Sequence, residues 1–210
     1  PGSFMWQLYR IVLGTEQIPA KSLLDKAPLT WRLMRLWPAL IDQPHFEPLQ
    51  RFLTHDTDLR KRYQLSARLA DLFDQYQVYR ADWLEDWAAG RHQLRNARGE
   101  TPVLSSANCW QAELWRELLL DVGEEGMSQS RAGVHQRFMD RINTLEQAPP
   151  GLPARVIVFG ISSLPAQALE ALAGLARFSQ VLLCVHNPCR HHWSDIVADK
   201  DLLRHQYKRQ

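Results

Sequence analysis

Two carboxylates and an amide, Asp71, Asp74 and Gln75, follow one another at i, i+3 and i+4 within LSARLADLFDQYQVYRADW, residues 65–83. Side chains so spaced share one side of a helix, so a helix here presents three polar acceptors together. Such a face has three fates: plain solvation, a metal or acid/base centre, or a surface that reads a ligand. Solvation is the commonest. A nuclease-like centre needs a third acid or a lysine in a strand context, and neither accompanies this pair.

Other chemistry-bearing groups are sparser. NPCRHHWSD sets Cys189, His191, His192 and Asp195 close together, but the spacing suits no common zinc pattern, which favours capping and loop roles over a metal. An ATP site requires GxxxxGKS or GxxxxGKT between a strand and a helix. The lone Ala20-Lys21-Ser22 has no glycine before it, and where a Walker-B-like strand ends in an acid, RVIVF is followed by Gly160-Ile161-Ser162-Ser163. The segment therefore carries no ATPase of its own, and no cofactor is implied. Trp6 with Arg10, and Tyr79 with Arg80, are mixtures suited to stacking bases and holding phosphates along a single strand. Trp31, Trp37, Trp83, Trp87, Trp110 and Trp115 mostly fall on apolar stripes and read as core, whereas Trp6 has no such explanation.

The elements that position these groups are mostly helical. SFMWQLYRIVLG predicts a helix capped by Ser3 and stopped at Gly14, and PLTWRLMRLWPALI a second, starting near Pro28 or Thr30. FEPLQRFL reads as a short third helix, with Asp56 or Thr57 capping the long fourth. There Leu65, Leu69, Leu72, Phe73 and Tyr76 form the core stripe, and Gln64, Arg68, Asp71, Asp74 and Gln75 fall elsewhere. The fourth helix is expected to fray at Gln77 to Tyr79, before a short helix in RADWLEDWAAG that ends at Gly90.

Residues 88–107 read as a mobile surface connection. Two more helices follow in NCWQAELWRELLLDVGEEG and SRAGVHQRFMDRINTLEQ. After APPGLPAR, the apolar β-branched RVIVFGI and QVLLCVHNP flank the helix AQALEALAGLARF: a βαβ unit with parallel strands, each expected to be buried on both faces. The fold class is thus mainly α with a partial α/β part, a helical subdomain over 1–150 preceding 151–210. One βαβ unit is too small for a sheet covered on both sides, so further strands are expected outside this chain, as is a longer parent chain from the missing initiator Met.

Composition bounds the rest. At 210 residues and 45% hydrophobic, the chain can bury a core, and its 25 basic and 23 acidic residues nearly cancel at +2. No bulk field draws it to nucleic acid, so any basic site must be local. Three cysteines, Cys109, Cys184 and Cys189, without a CxxC pair fit a reducing compartment, hence a cytoplasmic location. No apolar run approaches the roughly 20 residues of a membrane span.

LADLFDQYQVYRADWL, PPGLPARVIVFGISSLP and VHNPCRHHWSDI resemble the N-terminal part of the RecC family, the gamma subunit of bacterial exodeoxyribonuclease V. SFMW and CWQAELWRELL appear in the same order, so the resemblance covers essentially the whole chain. It implies a non-catalytic subunit of an ATP-dependent helicase-nuclease that processes DNA ends for recombinational repair. It also implies a superfamily 1 helicase-like domain without its ATPase motifs, which scans unwound single-stranded DNA for the Chi hotspot beside the RecB and RecD subunits. The residues it implies for Chi recognition are Trp6, Asp71, Leu72, Asp74, Gln75, Arg80 and Arg131. The alternative is a structural scaffold that supports the complex without touching bases.

Overall fold

The computed structural model describes residues 2–18, 22–55, 59–96, 98–161 and 163–186. The proposed caps Asp56 and Thr57, and the cluster Cys189, His191, His192 and Asp195, lie outside the described residues.

Among the described residues eight α-helices and two strands follow in order: α1 (Gly2–Leu13), α2 (Lys26–Leu40), α3 (Glu47–Leu53), α4 (Arg60–Tyr79), α5 (Ala81–Ala88), α6 (Cys109–Ser128), α7 (Arg131–Thr144), β1 (Arg155–Phe159), α8 (Ala166–Leu175) and β2 (Gln180–Cys184). The fold is mainly helical with a small parallel sheet, in which Arg155 pairs with Gln180 and Phe159 with Cys184. The start of α1 at Gly2 places Ser3 inside its first turn instead of at the cap.

The apolar stripes collect into two clusters. Leu29, Leu33 and Trp37 of α2 meet Leu69 and Phe73 of α4, Trp87 of α5, and Leu114 and Leu118 of α6 in the first. In the second, Leu8 and Val12 of α1 pack with Val134, Phe138 and Ile142 of α7, Val156 of β1 and Leu172 of α8. Two buried polar bonds fix α4 within the first cluster: Trp37 Nε1 donates to Ser66 Oγ at 2.8 Å, and Gln77 Nε2 to the Leu24 carbonyl at 2.9 Å. Gln77 being held inside explains why α4 continues to Tyr79 instead of fraying at its end.

Three further expectations change. Neither strand is buried on both faces: in β1 Val156 and Val158 turn towards the second cluster while Ile157 and Phe159 are 59% and 80% exposed, and in β2 Val181 alone is partly buried. Strand side chains alternate, and α1, α7 and α8 supply a single covering layer. Trp31 is 65% exposed, because it sits across α2 from the Leu29, Leu33 and Trp37 stripe.

The connection over 88–107 is tied down instead of loose. Leu94 N donates to the Pro102 carbonyl and Leu104 N to the His92 carbonyl, forming a small antiparallel turnback, and Leu104 is buried. Its anchor is Asp86 of α5, fully buried, which accepts five hydrogen bonds from Arg91, Gln93 and Arg95. The hydrogen bonds of Arg95, Gln93 and Arg91, with the charge of Arg95, hold the Asp86 carboxyl far below the usual carboxylate range, Arg95 contributing most.

Candidate nucleic-acid interface

Helix α4 presents its stripe of Ser66, Leu69, Ala70, Phe73 and Gln77 to the core, which turns Gln64, Arg68, Asp71 and Gln75 outward. Its principal neighbour is α2. The contacts Lys26 with Asp71 and Trp31 with Tyr63 run in opposite sequence senses, so the two helices are antiparallel.

Asp71 and Gln75 share the exposed ridge, as the spacing predicts. Lys26 Nζ donates to Asp71 Oδ1, and Gln75 Nε2 donates to Oδ2 at 3.3 Å. The hydrogen bond and charge of Lys26 lower the Asp71 pKa below its ordinary value, yet the side chain remains 46% exposed. A carboxylate offers about four acceptor sites, so these two donors leave capacity for a ligand.

Asp74 lies nearer the junction between the clusters, and there the structure brings Arg131 to it. Arg131 opens α7 immediately after Ser130, whose Oγ accepts from Gly133 N at 3.1 Å and caps the helix. The turn is tight: a Cβ on Gly133 would lie 2.4 Å from the Met127 carbonyl oxygen, so a residue without a side chain lets α7 start against the end of α6.

From that position Arg131 Nη2 sits 2.7 Å from Asp74 Oδ1 and donates to Asp25 Oδ1 at 3.3 Å. The contact with Asp74 is close but off the N–H direction. Neither Asp74 Oδ1 nor Arg131 Nε has a hydrogen-bond partner among the described residues. Both atoms are buried, so charge holds the pair, and a ligand can meet only the remainder of the Asp74 side chain, which is 28% exposed.

The other candidates take different positions. Leu72 is partly buried against the first cluster. Arg80 sits at the corner between α4 and α5, nine residues and about 14 Å of helix beyond Asp71. Its Nε and Nη2 grip Asp82 at 3.0 and 2.8 Å, Nη2 also donates to the Arg95 carbonyl, and its guanidinium lies 3.7 Å from the Trp83 ring centroid. Trp6 belongs to the second cluster on α1, edge-on to Tyr9 at 5.8 Å. The geometry therefore unites Asp71, Asp74, Gln75 and Arg131, and leaves Arg80 and Trp6 apart from them.

Sequence reading missed Lys26 and Asp25, because each is some 45 residues or more from its partner and no local spacing links them. It also missed the string Tyr9 Oη, His135 and Glu170, joined by contacts of 2.9 Å on either side of the imidazole. Burial, and then the charge of Glu170, push the Tyr9 hydroxyl pKa up. This string ties α1, α7 and α8 together away from the α4 ridge. No described helix is long and apolar enough to cross a membrane.

Comparison with known proteins adds the family. A sequence model described as RecC, N-terminal domain, matches residues 1–210. Among similar curated proteins, the RecBCD enzyme subunit RecC of Escherichia coli (strain K12) is 41% identical over 197 residues, covering 93% of this chain. Its counterpart in Haemophilus influenzae is 35% identical over 212 residues with the same 93% coverage. The one in Mycobacterium tuberculosis (strain H37Rv) is 30% identical over 178 residues, 81% of this chain. The chain spans only 17%, 18% and 15% of these relatives, about a sixth of their length.

Proposed function

The chain belongs to the RecC N-terminal domain family, and from that premise we propose that it is a non-catalytic, DNA-reading part of a RecC subunit acting with RecB and RecD. Its α4 ridge reads single-stranded DNA for Chi while the complex resects a double-strand break. What supports the reading above all is that Asp71 and Asp74 are held on α4 by cations from two other elements while their side chains stay 46% and 28% exposed, Asp71 with acceptor capacity to spare.

The chemistry supports recognition over cleavage. A carboxylate accepts from the amino group of a base, and Gln75 both donates and accepts at a base edge. Acids beside a passing strand also weaken non-specific phosphate attraction, so the strand slides while its bases are sampled. Leu72 would support the ridge from beneath; Arg80 and Trp6 join the proposed surface through the family resemblance. Residues 151–210 would belong to a helicase-like α/β part without ATPase motifs, with ATP turnover and strand cleavage supplied elsewhere in the complex.

The test is Asp74→Asn, alone and with Asp71→Asn, in the full-length chain assembled with its partners. The expected result is unwinding at the normal rate with the response to Chi reduced about tenfold, the scale of one lost base contact. An unchanged Chi response removes the reading. A second reading, a scaffold without base contacts, draws on Arg80 and Arg131 being engaged within the protein; failure of the variants to assemble with their partners would favour it.

A further inference from the structure

Asp25 occupies the N-cap of α2 with an extended backbone, a position from which aspartate usually accepts from amides of the first helical turn, yet its side chain makes no such bond. Its carboxylate is turned elsewhere. Oδ2 accepts from Ser22 N at 2.9 Å, and Oδ1 accepts from Arg131 Nη2 at 3.3 Å. The next residue, Lys26, reaches α4 and donates to Asp71 Oδ1. Two consecutive side chains of opposite charge thus serve the two ridge carboxylates, Lys26 by direct contact and Asp25 through Arg131, which lies 2.7 Å from Asp74.

The turn that carries them is fixed to the same helix. Leu24 is buried in the first cluster, its N–H donates to Ser22 Oγ at 3.2 Å, and its carbonyl accepts from Gln77 Nε2 at 2.9 Å. Gln77 is buried and follows Asp74 on α4, so an enclosed amide of the reading helix holds this turn beside the reading side chains. The two holds differ in kind. Lys26 gives Asp71 a hydrogen bond as well as a charge. Of the two acids at Arg131, Asp25 receives the hydrogen bond and Asp74 the charge, so Asp25 competes for a donor that would otherwise turn to Asp74.

We propose that Asp25 and Lys26 are positioning residues for the base-reading carboxylates: Lys26 holds Asp71 in place, and Asp25 holds Arg131 so that the guanidinium orients Asp74 without pairing it fully. The role rests on the reading of the α4 ridge as the surface that meets DNA bases. It makes the turn before α2 a second determinant of base selection, because a carboxylate discriminates between base edges only when its lone pairs keep one direction and are not already taken. Loss of Lys26 leaves Asp71 free to rotate, and loss of the Asp25 charge lets Arg131 turn wholly to Asp74.

The test uses the full-length chain in its complex on a duplex carrying Chi. Lys26→Met should lower the Chi response about fivefold, the most that the hold of a half-exposed ion pair accounts for, and Lys26→Arg should restore most of it. Asp25→Asn should lower it by a similar factor. Lys26→Met should add nothing in an Asp71→Asn background, nor Asp25→Asn in an Asp74→Asn background. Exchanging the charges, Lys26→Glu with Asp71→Lys, rebuilds the ion pair and would repair a merely structural role, but the Chi response should stay low because the carboxylate has left α4. A full Chi response in Lys26→Met or Asp25→Asn overturns the role of that residue, as do additive losses in its double variant or loss of partner subunits from the complex; recovery on charge exchange overturns that of Lys26. If Asp71→Asn with Asp74→Asn lowers the response while the α2 variants do not, base reading by the ridge stands without the turn; if that pair too is at the wild-type level, both fall.

Discussion

Asp86 on α5 and Asp71 on the neighbouring α4 are the same residue type, each paired with cations, and the structure puts them to opposite uses. Asp86 is wholly buried and surrounded by five hydrogen bonds. Asp71 is 46% exposed and carries one ammonium and one amide. In both, neighbouring cations lower the pKa, so the direction of the shift does not separate them. What separates them is spare acceptor capacity facing water, which Asp71 keeps and Asp86 has given up to its turnback.

That contrast is sharpest in the cost of removing each group. Asp86→Ala should destabilise the chain by about 3 kcal/mol, the low end for breaking a buried ion pair because Arg91 and Arg95 stay partly hydrated. A large fall in urea midpoint, with faster amide exchange over residues 91–104, would show it. A midpoint within error of wild type would mean that the turnback is held mainly by its backbone bonds.

Gly133→Ala comes next, at about 2 kcal/mol, since its Cβ would meet the Met127 carbonyl oxygen at 2.4 Å and backbone must move. The same shift draws Arg131 from Asp74, so Chi response should fall with stability. If stability falls while the response is unchanged, Arg131 has no part in positioning the ridge.

Asp74→Asn should cost less than about 1 kcal/mol, as for a partly exposed pair, while on the proposed function its larger effect is expected in DNA discrimination. Smallest is Asp71→Asn, for which no resolvable change in urea midpoint is expected. Acid titration orders Asp71 and Asp86 in the same sense. Each has a folded pKa below the ordinary value of 3.8, so its contribution is complete above that value and is lost as pH falls through the lowered one. The Asp71 contact with Lys26 should be lost at a higher pH than the turnback anchored by Asp86, as side-chain carboxyl NMR shifts would read. The reverse order would break the comparison.

Much of the fold was legible because it follows from periodicity. Val134, Phe138 and Ile142 recur at helical spacing and all are buried, and the texture change after Pro150 predicts the parallel pair that forms. Trp31 misled, because an apolar residue on a helix reads as core until the helix's angular position against its neighbours is known. Residues 88–107 misled for a related reason: polar composition describes a loop, but not a buried carboxylate waiting in the preceding helix to receive its arginines.

The sequence by itself determined that Asp71, Asp74 and Gln75 lie to one side of a helix and that RVIVF and QVLLC flank a crossover helix, since 3.6 residues per turn and strand alternation are properties of the local backbone. It also carried the family, through long runs matched in order. Only the tertiary structure decided which carboxylate faces water and which is enclosed, that Arg131 reaches Asp74 and Asp25 while Arg80 turns to Asp82, and that Trp31 meets Tyr63 in solvent. These pairings join residues tens of positions apart, and packing of whole helices, not any local spacing, sets the distances across which their charges and rings act.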